Sequence, residues 1–198
     1  MAVAKTYPDK KVVIPRSVAL FLIKALILFI VWKVAYLYVI MPKRILDDPL
    51  THSVGMATKD LLNFFSSSPH YTAIKTIEDV HGDKGVLSFS VVYIYRDGKM
   101  ALSIGDPCNA LEVMVLYAGF IICFPSTLKR KLFYIPVGLI LIYGLNIIRC
   151  AALVLIAIYY NSYLDFSHHF LFTFIVYAFI FLLWYFFTKN RKTNERVS

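Results

Sequence analysis

The stretch FYIPVGLILIYGLNIIRCAALVLIAIYY, residues 133–160, carries a single charged side chain, Arg149, in 28 positions. About 20 apolar residues suffice for a helix to cross the hydrocarbon core of a bilayer, so this run reads as a transmembrane helix with length to spare for tilt. The rest of the chain has the same character. Of its 198 residues 59% are hydrophobic and 17% charged, with a mean hydropathy of +0.66, well above what a water-soluble domain shows. The fold class expected is a mainly α, polytopic membrane protein.

Three further apolar runs flank the first. SVALFLIKALILFIVWKVAYLYVI, residues 17–40, follows a basic tail (1–16) but is too long for a signal-peptide core and ends in MPKR without a small-residue cleavage pattern, so it reads as a retained anchor. A shorter span runs from about Asn109 to Phe124 and is closed by Pro125. HFLFTFIVYAFIFLLWYFF, residues 169–187, ends in Trp184 and Tyr185, residues suited to the membrane interface, before a basic tail (188–198). Four spans are therefore expected.

Lys and Arg counts orient them. Four lie before the first span (Lys5, Lys10, Lys11, Arg16), three between the second and third (Lys129, Arg130, Lys131) and four after the last (Lys189, Arg191, Lys192, Arg196), while the connection NSYLDFSH has none. Basic residues stay on the cytoplasmic side, so both termini are expected in the cytoplasm and residues 41–107 outside. The net charge of +9 is thus explained by topology, not by a nucleic-acid partner. Within 41–107, TKDLLNFF (58–65) reads as a short amphipathic helix, SSSP (66–69) as a loop, and VLSFSVVYIY, RDGK and MALSIG (86–105) as strand, Asp-Gly hairpin turn and strand. So small a sheet is marginal alone and is expected to pack on the membrane helices.

Charged groups inside an apolar span are costly and demand partners. Lys24 lies near a membrane end and is expected to snorkel, and Lys33 lies deeper. Glu112 lies four residues after Cys108, a spacing that shares one helix face, and Asn146 shares a face with Arg149. Arg149 falls about 24 Å along its span at 1.5 Å per residue, in the outer half, which makes it the expected partner of Glu112. Three spans thereby bring Cys108, Arg149 and His168 or His169 toward one outer layer. Taken singly, each has an ordinary account in packing, ion pairing or interface preference.

Together these residues are the parts for acyl transfer through a thioester. A thiol with a pKa near ~8.5 needs a base or a cation to form its thiolate at neutral pH, and histidine is the usual acceptor. A fixed arginine charge can hold the oxyanion of a tetrahedral intermediate. Cys123 and Cys150 sit inside apolar runs as small hydrophobes, and three cysteines make no disulfide framework. No CxxC, HExxH, acidic ligand cluster or glycine-rich phosphate loop occurs, so no metal or other cofactor is expected.

Cys108 in CNALE, Arg149 in LNIIRCAAL and the histidines of SHHFLF resemble the exosortase/archaeosortase family over residues 100–187, in form closest to its short bacterial subfamilies. The resemblance implies a cysteine endopeptidase or transpeptidase of the bacterial cytoplasmic membrane with its site on the outer face. Its partners would be exported proteins bearing C-terminal hydrophobic, basic-ended sorting tails, and membrane lipid. Cys108 would then be the nucleophile, Arg149 the oxyanion or orienting group and a histidine the base, with Glu112 and Asn146 in support. Where many members read Cys-Ser-Gly, this chain reads CNAL. Adjacent helical residues point about 100° apart, so only one of the tandem histidines can face Cys108; His169 is placed first and His168 second. The competing expectation is a non-enzymatic scaffold or transport subunit held by a Glu112–Arg149 pair.

Overall fold

The computed structural model describes residues 15–66, 70–82 and 85–189. The basic residues Lys5, Lys10 and Lys11, the terminal Arg191, Lys192 and Arg196, and most of the SSSP loop lie outside them. The chain is mainly helical. In order it comprises α1 (Arg16–Lys43), α2 (Asp47–Phe65), β1 (Tyr71–Gly82), β2 (Gly85–Arg96), β3 (Lys99–Gly105), α3 (Leu111–Cys123), α4 (Leu128–Tyr159) and α5 (Asn161–Lys189).

Among the described residues, α1, α4 and α5, of 28, 32 and 29 residues, are long and apolar enough to cross a membrane. The fourth expected span is shorter than its apolar run: α3 has 13 residues, or about 20 Å at 1.5 Å per residue, against a hydrocarbon core of about 30 Å. Both ends have local causes. Ala110 adopts a left-handed conformation (φ 66°) immediately before the first turn, and the Asn109 side chain accepts the Leu111 N–H at 2.8 Å as a cap. At the other end Pro125 forces Phe124 out of the helical region to ψ 134°.

Helix α4 takes part in two cores. Its first half packs with α3 and α5 through Tyr117, Ile121, Ile142, Val176, Ile180 and Phe187. Its second half carries Cys150, Ala151 and Val154 into a separate core with α2 and the sheet, built on Val54, Leu62, Val92, Ile94 and Ile104. Thirty-two residues make about 48 Å of helix, so α4 can traverse a bilayer and still extend into the sheet module. At the end away from the sheet, Arg130 donates to the Phe187 carbonyl (2.5 Å) and Lys131 to the Ile122 carbonyl (2.6 Å). The residues read as a topology signal thus also satisfy carbonyls in the last turns of α5 and α3. In α1 no residue is buried over Arg16–Ala35, as suits a helix facing lipid.

The sheet is antiparallel in the order β1-β2-β3. The β2–β3 turn has Asp97 and Gly98 both at positive φ (51° and 76°), the type I′ geometry that Asp-Gly favours, as expected from RDGK. Helix α2 lies on this sheet and begins eleven residues earlier than TKDLLNFF indicates. Its buried positions are Asp47, Thr51, Val54, Gly55, Thr58 and Leu62, a helical face made largely of polar and small residues. A Cβ at Gly55 would sit 2.5 Å from a methyl of Val92, itself fully buried. Gly55→Ala is therefore expected to lower stability by ~1–3 kcal/mol, read as a fall in the thermal or denaturant midpoint of the full chain.

Candidate active site

The loop from Gly105 to Ala110 joins the end of the sheet to α3 and is fastened on both sides of Cys108. Asp106 pairs with Arg44 at 2.7 Å and accepts the Thr51 hydroxyl at 2.8 Å. Asn109, only 2% exposed, donates its amide to Asp47 (3.1 Å) and Thr51 (3.2 Å). Thr51 on α2 therefore donates to one neighbour of the cysteine and accepts from the other. From α4, Asn146 donates to the Cys108 carbonyl at 2.7 Å. Buried polar groups must be satisfied, and here satisfying them fixes the backbone that carries the thiol.

Cys108 Sγ lies 3.6 Å from His168 Nε2. His168 belongs to a π-helical turn, Ser167–Leu171, near the start of α5. The two histidines are adjacent on this turn and diverge, their rings edge to face with centroids 4.9 Å apart. His169, placed first on sequence grounds, points away: its side chain is 62% exposed and its Nε2 is 3.3 Å from Asp165. His168 is the one that meets the thiol.

Glu112 does not meet Arg149. It pairs with Lys33 of α1 at 3.1 Å, with its own side chain 75% exposed. The expected shared face with Cys108 fails because Cys108 ends a 3-10 turn ahead of α3, and left-handed Ala110 breaks the four-residue phase between them. Arg149 instead places Nη1 3.5 Å from Asn146 Oδ1, while its Nε is buried without a hydrogen-bond partner among the described residues. Asn146 thereby links the arginine to the cysteine backbone. Helix α4 begins at Leu128, so Arg149 is 21 residues or about 32 Å along it, which is the same place as about 24 Å from Phe133.

Two cavities of about 420 Å³ meet these residues. Cys108 and His168 line one, together with Ser103, Asn161 and Asp165; Arg149 lines the other, with Arg44, Asp106 and Asn109. Burial dominates and leaves the Cys108 thiol pKa above its ordinary value, although the Arg149 charge and a hydrogen bond from the Gly105 backbone pull it down. A thiol, an imidazole and a fixed cation so disposed can generate a thiolate and pass its proton on. Asp47, Thr51, Asp106 and Asn109 were not recognisable as parts of a site from spacing, although GDPCN flanks the cysteine with two of the side chains that hold it. Among the described residues, no three His, Cys, Asp or Glu side chains group as metal ligands.

No family model, curated protein or solved structure matches this chain.

The Arg149 field on Cys108 has a direct readout. In Arg149→Ala the alkylation of Cys108 by chloroacetamide, followed by peptide mass spectrometry across pH, is expected to need higher pH than in the unaltered protein. Cys108 is the least buried of the three free cysteines, so its peptide should label before those of Cys123 and Cys150.

Proposed function

We propose that this chain is a membrane-embedded cysteine endopeptidase or transpeptidase that processes C-terminal sorting tails of exported proteins at the outer face of the bacterial cytoplasmic membrane. The observation that carries this reading is the 3.6 Å approach of Cys108 Sγ to His168 Nε2, made between two separate segments of the chain. The resemblance of CNALE, LNIIRCAAL and SHHFLF to the exosortase/archaeosortase family supports it. So does the apolar character of the three long helices, along which a substrate's hydrophobic tail can lie.

In this mechanism His168 takes the Cys108 proton and the thiolate attacks the scissile carbonyl carbon. The carbonyl oxygen becomes an oxyanion that the Arg149 charge stabilises. Collapse breaks the C–N bond, His168 returns its proton to the departing amine, and a thioester remains on Cys108. Water, or an amine or lipid acceptor, then attacks the thioester and releases the thiolate. In this reading the scissile bond lies at the sheet-side membrane boundary, where the tail's helix would end and its extended motif begin.

The test is the size of exported, tail-bearing proteins in cells producing single variants of the full chain. Cys108→Ala is expected to leave tails uncleaved, and His168→Ala to slow cleavage by ~10²–10⁴-fold, the usual range for a general acid–base group. His169→Ala should retain most activity. Undiminished cleavage by Cys108→Ala would overturn the reading.

A further inference from the structure

Strand β3 runs into the candidate nucleophile, and its outer edge is open. In β2 the Ser90 N–H points toward the β3 side, where it meets Asp106. By the alternation of an antiparallel ladder, Val92 and Ile94 then bond toward β3, and their register partners Ile104 and Leu102 bond back. Ser103 and Gly105 must therefore turn their N–H and C=O groups away from the sheet.

The two sheet edges are treated differently. On the β1 edge, Tyr71 also lies in a pair that turns its backbone outward, and the Asn63 side chain closes it, accepting the N–H at 3.0 Å and donating to the C=O at 2.9 Å. The Ser103 main chain has no such partner among the described residues. Unpaired edges invite added strands, and proteins normally cover or blunt them. Here the open edge borders the same cavity of about 420 Å³ that Cys108 and His168 line, with Asn161 and Asp165 on its far wall.

We infer that the outer edge of β3 is the docking rail for the substrate polypeptide, which binds as an added extended strand and so carries its scissile bond to Cys108. Main-chain hydrogen bonds to Ser103 supply the binding, as in other cases of strand addition, and side chains of alternate substrate residues face the cavity. The occupant is thus an extended peptide segment, recognised first by its backbone. This inference rests on the cysteine-peptidase reading. It assigns to residues 41–107 a task in that reaction, since β3 and the strand that holds it both belong to that segment.

The probe is acetyl-Ala-Ala-Ala chloromethyl ketone, compared with chloroacetone, which carries the same chloromethyl ketone group and no peptide backbone. With the full chain, two or so main-chain hydrogen bonds predict ~10-fold faster labelling of Cys108 by the peptide reagent. N-methylation of successive alanines should abolish the gain at alternate positions only. Ser103→Pro removes the outward N–H at an edge position where proline is tolerated, and should erase the gain while chloroacetone labels at the unaltered rate. Ser103→Ala, which keeps the backbone, should preserve the gain. Equal labelling by both reagents, or N-methyl effects without alternation, would overturn the inference; the N-methyl series needs only the unaltered protein, so it decides even if Ser103→Pro misfolds. Labelling reads the docking edge directly, whereas tail cleavage by Cys108→Ala reads the parent proposal, so the two can fail separately.

Discussion

The site depends on the fact that a buried amide cannot be left unpaired. Asn109 has both ends of its side chain committed, to Asp47 and Thr51 on one side and to the Leu111 N–H on the other. Removing a partner from such a group costs about 1–3 kcal/mol, which is enough to select one loop conformation over others. Because Thr51 also binds Asp106, α2, the end of the sheet and the first turn of α3 are set relative to one another by one group of side chains. Cys108 sits between the two residues so held, and Asn146 ties its carbonyl to α4 from the opposite side.

This frame explains how a membrane bundle and a small sheet can share a site. A three-stranded sheet has little core of its own, and here its core is completed by α2 and by the upper half of α4. A helix long and apolar enough to cross a bilayer therefore also forms one wall of the sheet module. Arg149 and Asn146 lie just where α4 passes from one core to the other, with Asn146 buried and Cys150 already in the sheet-side cluster.

The parts of this arrangement that follow from local chemistry were legible in the sequence. Three long apolar helices are declared by hydropathy, and Asp97-Gly98 declares its turn because few other pairs accept two consecutive positive φ angles. The first half of α2 was not legible, since its buried face is written in Asp47, Thr51 and Gly55, where periodicity searches look for Leu and Val. The length of α3 was hidden because its apolar run continues into residues that are not helical. The expected shared face of Cys108 and Glu112 extended helical spacing backward across Ala110, where the backbone is left-handed. The choice of His168 over His169 depends on which position faces the Cys108 loop once the helices are packed, which two adjacent identical side chains cannot reveal.

The Lys33–Glu112 contact has a mechanical meaning. Helix α1 touches α3 through Phe21, Phe120 and Phe124 and through this one ion pair, and it buries none of its own residues over its first twenty positions. The attraction between two such charges grows as water is withdrawn from around them. With its side chains 40% and 75% exposed, this pair is open to its surroundings, and withdrawing water strengthens the attraction while adding the cost of desolvating both charges. Among the three long helices α1 alone buries none of its apolar stretch, so its place in the bundle rests less on packing than on what surrounds it.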